Sequence, residues 1–206
     1  MRTLPLMLLI TALFILSGCG SQKQTPNKYY VIEKNNDIEI PNFKRRPVIT
    51  EYCKIEPVDI YPAYASKAIA NRSNTHEIIY YKSHQWAVRP GESLTMLLED
   101  YLTEASLFKG VSTRFWQITP AYRLATTVYQ LEILQEDQNL AAHLSLKFAL
   151  FDNQTNDLLT SHKTDRKETL QNKNLNFFAE TIASIFYDEL QRFTHKIIQQ
   201  TAEQQN

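Results

Sequence analysis

Two cysteines, five histidines and a set of scattered carboxylates are the groups in this 206-residue chain whose chemistry could matter. The histidines are His76, His84, His143, His162 and His195. None forms the HExxH or HxH spacing that brings two imidazoles to one metal ion. His143 and His162 fall on segments that read as neighbouring strands. No carboxylate is expected on the same strand faces, so they make a poor metal site. A Ser-His-Asp site would lack the GxSxG turn that presents a nucleophile. Glu132, Glu136 and Asp137 cluster at one end of an expected hairpin, where hydrated carboxylates are ordinary, and no acid/base pair stands out. There are only four glycines and no GxGxxG or Walker pattern, which argues against a phosphate-cradling loop. Lys and Arg number 22, as do Asp and Glu, so no basic excess points to nucleic acid. The reading is of a chain without cofactor or metal, and not of an enzyme.

Cys19 differs because of what precedes it. Arg2 supplies a positive start, and Leu4 to Leu16 run without a charge. Leu16-Ser17-Gly18-Cys19 then places small residues ahead of a cysteine, the pattern of a secretory signal that ends at a lipidated residue. The run is short of the roughly 20 apolar residues a spanning helix needs. These four positions resemble the lipobox of bacterial lipoproteins. On that reading residues 1–18 are removed, and Cys19 becomes the acylated first residue. Residues 19–27 then form a polar tether. Its eight residues after the cysteine reach at most about 29 Å. Gly20, rather than an aspartate, leaves the outer membrane as the default address. Cys53 has no CxxC partner. It is either a small buried hydrophobe or, in an oxidising compartment, half of an intermolecular disulfide.

Residues 28–206 are long enough for one domain. Lys28 to Ile32 is aromatic and β-branched, a first strand. Residues 33–51 read as a long connection carrying the basic trio Lys44-Arg45-Arg46. Cys53 to Ile60 alternates around Pro57, as an edge or bulged strand does. Residues 66–82 read as a hairpin. Leu94, Leu97, Leu98, Tyr101, Leu102 and Ala105 recur at helical spacing, with Pro90 and Ser93 where the helix begins. The helix is expected to stop before Gly110, with a strand from Val111 to Trp116. Tyr122–Leu134, Leu140–Phe151 and Leu158–Arg166 read as a three-stranded meander. In its middle strand Leu140, Ala142, Leu144, Leu146, Phe148 and Leu150 share one face. His143, Ser145 and Lys147 share the other, which is expected to be wet. Leu175 to Gln200 carries the stripe of a long helix, with a fraying polar tail. The fold class is therefore α+β: a single domain with a mixed, mainly antiparallel sheet and two main helices, about 91–106 and 175–199, on one face.

The stretch from Glu77 to Leu98 combines an aromatic strand, His84, Trp86-Ala87, Pro90 and an amphipathic helix. Tyr80 and Tyr81 point to opposite faces, leaving one free for a partner. Trp86 is either a core aromatic at a strand–helix junction or a partner contact. Taken in order, several short motifs resemble the auxiliary lipoproteins of ABC-type lipid transport systems, the PqiC-like group. They are Tyr30-Val31-Ile32, Ile55-Glu56-Pro57-Val58 with Tyr64, Ile78-Ile79-Tyr80-Tyr81, His84-Gln85-Trp86-Ala87 with Pro90, the Leu94–Leu102 helix and the strand end Phe148–Asp152. The chain departs from that pattern at Asn71–Asn74 and at Cys53. The resemblance implies a non-enzymatic lipoprotein on the periplasmic face of the outer membrane, a docking piece beside a mammalian-cell-entry (MCE) domain transport protein. Homo-oligomeric rings are compatible with such a role. Tyr80, Tyr81, His84 and Trp86 are then the candidate partner-binding residues. The alternative is an adaptor lipoprotein for another outer-membrane assembly or secretion complex.

Overall fold

The computed structural model describes residues 26–35, 37–41, 48–74, 76–136, 139–172 and 174–204. The signal segment with Cys19 and the trio Lys44-Arg45-Arg46 lie outside the described residues. Strand β7 (Tyr122–Glu136) is the spine of the sheet. One edge pairs antiparallel with β8 (Asn139–Asp152) along its whole length, and β8 pairs in turn with β9 (Leu158–Thr169). The other edge is shared by three parallel strands. β2 (Ile49–Ile55) takes its start, β3 (Asp59–Ile60) its middle and β4 (Ala68–Asn74) its end. β2 carries β6 (Phe108–Ser112). β4 carries β5 (Glu77–Trp86), whose outer edge takes β1 (Lys28–Tyr30). The sheet therefore forks on one side of β7 and curls into a half-barrel. It is mixed, and its antiparallel ladders hold most of the paired residues. Tight turns between long strands favour antiparallel pairing, whereas the parallel strands are short pieces joined by crossovers.

Two helices cover one face, α1 (Pro90–Ala105) and α2 (Leu175–Gln204). The fold is the expected α+β class. Pro90 opens α1, where its missing N–H costs nothing. Ser106 closes it in the left-handed region, at φ 55°. α2 lays Phe178, Ile182, Phe186 and Phe193 on the sheet. Phe148 of β8 stacks on Phe193 at 5.4 Å and meets Phe186 edge-on at 5.6 Å. A bulge between Val128 and Gln130 resets the alternation of β7. Leu124, Val128, Leu131 and Ile133 are thereby all buried.

Several elements differ from the sequence expectation. The expected strand from Cys53 to Ile60 is two strands along the same edge of β7. Pro57 has no N–H to give the ladder, and the chain breaks there. Val58 N–H turns instead to Thr95 Oγ1 of α1 at 2.8 Å. The strand after α1 begins at Phe108, not Val111, and contains Gly110. A β-carbon at Gly110 would come within 3.0 Å of the Tyr52 ring, so a glycine here admits the neighbouring aromatic rather than stopping an element. The last helix continues to Gln204, past the expected end at 199. The face of β8 carrying His143 and Ser145 is not wet: these residues are 4% and 5% exposed. Side chains from β7 and β9 bond to His143, and Tyr64 and Arg72 close the cluster around Glu132.

Candidate functional site

The four residues singled out on β5 have different surroundings. Trp86 is 1% exposed and packs against Phe178 of α2 with ring centres 5.6 Å apart, so it belongs to the core. His84 is half-buried. Its Nδ1 shares a hydrogen bond of 2.7 Å with the Tyr30 hydroxyl, and it lies between the rings of Tyr30 and Tyr81. Tyr80 sits on the opposite face, 42% exposed, and donates its hydroxyl to the Ala63 carbonyl at 3.0 Å. The two tyrosines thus part to either side, as strand geometry requires. β5 is also irregular here. Ala70 of β4 faces Tyr80 and Ala68 faces Gln85, so Tyr81 to His84 arch out of the ladder with β4. Bulges of this kind re-aim side chains. The arch turns His84 towards Tyr30 on β1.

A second cluster was missed among the carboxylates read as hydrated. Glu132 is fully buried. It accepts hydrogen bonds from the Tyr64 hydroxyl at 2.7 Å and Arg72 Nε at 2.9 Å, and faces His143 Nδ1 at 3.2 Å. His143 Nε2 lies 2.6 Å from Asp165 of β9. Arg72 also donates to the Tyr64 hydroxyl at 2.7 Å. Burial alone would raise the Glu132 carboxyl. The hydrogen bonds from His143, Arg72 and Tyr64 together outweigh it and hold the group down to about 2. Burial, then the bond to Glu132, pushes the Tyr64 phenol up to about 12. Part of this cluster is readable from the chain. The β7–β8 register sets Glu132 directly opposite His143. Arg72 arrives through the parallel β4–β7 pairing, and Tyr64 from the single turn of helix Pro62–Tyr64 ahead of β4, which no local pattern announces.

A third cluster fastens α2 to the sheet. Glu189, 1% exposed, lies 2.6 Å from His162 Nε2 and accepts from Arg166 at 3.1 Å, with Asp188 and Glu168 also on Arg166. Burial would raise the Glu189 carboxyl; the bonds from His162 and Arg166 hold it below its ordinary value. The register sets His143 opposite Lys167 and His162 opposite Phe148, and it turns the two histidines to opposite faces of the sheet. Among the described residues no group of three His, Cys, Asp or Glu side chains is arranged to hold a metal ion. Cys53 is fully buried as a free thiol, and burial pushes it well above the ordinary thiol range. That is the small-hydrophobe reading of this residue; a disulfide to another chain would require it to leave the core.

Two concavities flank the loop from Thr113 to Ala121. One, of about 560 Å³, lies between β3 and the start of α1 and is lined by Val58, Ile60, Arg89, Thr95, Met96 and Arg114. The other, of about 470 Å³, is lined by Lys54, Arg114, Phe115, Trp116, Ile118 and Asn153 among others. Neither gathers converging buried acids, bases or nucleophiles.

The family model of the ABC-type transport auxiliary lipoprotein component matches residues 44–197. The chain belongs to this family. Solved structures with the fold of this family member include protein XCC0632 from Xanthomonas campestris. At 15% identity and a TM-score of 0.65, the match covers 86% of this chain and 98% of that one. A second, described only as an uncharacterized protein, is 13% identical with a TM-score of 0.65, covering 84% and 99%. CT253 from Chlamydia trachomatis is more distant, at 7% identity and a TM-score of 0.50, covering 72% and 96%. No curated protein matches the chain. Among the described residues of this auxiliary lipoprotein, no helix is long and apolar enough to cross a membrane.

Proposed function

We propose that this ABC transport auxiliary lipoprotein is held by acylated Cys19 on the periplasmic face of the outer membrane. There it serves as the docking or adaptor component of an MCE-type lipid transport system. The observation that carries the reading is family membership joined to a lipobox ahead of a short polar tether. The titratable groups fit an adaptor better than an enzyme. Glu132, His143, Arg72 and Tyr64 are hydrogen-bonded to one another, as are Glu189, His162 and Arg166. On β5 the side chains left to a partner lie on two faces, Tyr80 on one and the partly buried Tyr81 and His84 on the other. Trp86 supports that strand from within.

Affinity capture of the detergent-solubilised, acylated protein is expected to recover an MCE-domain protein. Its consistent absence from correctly acylated material counts against the reading. Recovery of a secretin or export pore instead would favour the other adaptor class. Cys19→Ala is expected to release the chain from membranes and abolish function while leaving the fold of residues 28–198 intact. Full complementation of a deletion by that unlipidated form would refute the anchoring argument.

A further inference from the structure

The most exposed large apolar side chain among the described residues is Trp116, at 82%, in the crossover from β6 to β7. Ile118, 43% exposed, stands two residues on. Between them Gln117 adopts φ 67°, a left-handed conformation that non-glycine residues enter at a cost and that recurs at functional loops. The loop is not loose: Phe115 packs edge-on against Tyr52 at 5.7 Å, and Asn153 donates to the Pro120 carbonyl at 2.9 Å. A fixed loop thus holds a tryptophan and an isoleucine out in solvent.

The concavity beside Trp116 has Lys54 and Arg114 in its lining and no carboxylate. Lys109 lies close by, over the Tyr52 ring at 5.0 Å. Carboxylates stand further out: Asp59, Glu92 and Glu99 line the adjoining concavity that Arg114 shares. Glu56 pairs with Arg123 at 3.2 Å, Asp152 accepts the amides of Gln154 and Thr155, and Glu51 lies by Tyr122. Tryptophan beside lysine and arginine is the composition of a membrane interface, where the ring sits at headgroup level and the cations meet phosphates.

We infer that the loop 113–121 seats this end of the domain on a bilayer carrying anionic phospholipid, with Trp116 and Ile118 at headgroup depth and a phosphate between Lys54 and Arg114. The inference rests on the anchored reading of Cys19. The tether keeps the domain near the bilayer. The tether reaches up to about 29 Å. A domain held this close meets the bilayer constantly, so a weak interfacial contact is enough to orient it. A protein partner on the same loop is the competing occupant.

The chain has two tryptophans, and Trp86 is buried, so Trp116 is its own reporter. The full acylated protein is reconstituted into vesicles of phosphatidylethanolamine with phosphatidylglycerol, a fraction of the lipid brominated in its acyl chains. Trp116 emission is expected to be quenched, and Trp116→Phe to remove the quenched component while Trp86 emission persists. Arg114→Gln is expected to lower interfacial occupancy on the order of fivefold. Protein that floats with the vesicles but shows no bromine quenching overturns the inference and leaves the anchor standing, with the loop free for a protein. Failure to float overturns the anchor instead. Quenching on vesicles added to the free chain then decides the loop separately, supporting the inference if present and refuting it if absent.

Discussion

Glu132→Gln tests the structure at its most consequential charge. The substitution keeps the volume and one acceptor, so no cavity contributes. It removes the charge that Arg72, Tyr64 and His143 surround. Breaking a buried pair by neutralising one partner costs about 3–5 kcal/mol. The Arg72 side chain retains 20% exposure and can recover some hydration, which places the cost near 3 kcal/mol. The titration gives the same scale. A carboxyl at about 2 in the fold against an ordinary 4.5 corresponds to roughly 3 kcal/mol. Because the folded value is depressed, this contribution is fully present above about pH 5 and is lost as pH falls towards 2. Wild-type stability should therefore drop steeply through that window, and Glu132→Gln should be flatter there. Near neutral pH the variant should melt about 6–12 °C lower by circular dichroism, given the size of the chain. Adding Arg72→Met should cost less than the sum of the two single changes, since both changes disrupt the same hydrogen-bonded network. A loss below about 1 kcal/mol at pH 7, or an unchanged acid limb, would mean that Glu132 is hydrated and the network is not as described.

Three further outcomes follow from the same geometry. Phe148→Ala removes the ring that α2 packs around and should cost about 3–5 kcal/mol in urea unfolding; a near-neutral result would mean that α2 does not depend on this contact. Cys53 should resist maleimide in the native protein at pH 8 and label on denaturation, and fast native labelling would contradict its burial. Glu189→Gln should loosen α2 from β9 first, at a cost of about 2–4 kcal/mol. Amide exchange should accelerate in those two elements ahead of β7; uniform acceleration would show that Glu189 is not the local fastening.

The chain alone announces what depends on near neighbours. The lipobox is four consecutive residues. The alternation of Leu140 to Leu150 and the stripes of α1 and α2 are local periodicities, and they mark the surfaces that meet as Phe148, Phe186 and Phe193. The assignment of Tyr80 and Tyr81 to a strand is local too, whereas the strand runs on through His84 to Trp86, past the hairpin end expected at 82. Which of these residues meets solvent is not local. Trp86 is in the core because α2, some 90 residues further along, brings Phe178 to it. His143 and Ser145 follow a polar alternation as faithfully as any wet strand, yet they are buried, with Glu132 of β7 and residues of β9 bonded to them. Glu132 read as a hydrated carboxylate because its charge partner Arg72 arrives through a parallel pairing of two residues, too short to leave a periodicity. Side-chain period is written in adjacent residues, so the sequence by itself determined the α+β class and the apolar faces, and the proposed address rests on a run of adjacent residues as well. The partners of the charges, the burial of Trp86 and the exposure of Trp116 depend on contacts between distant segments, and only the tertiary structure decided them.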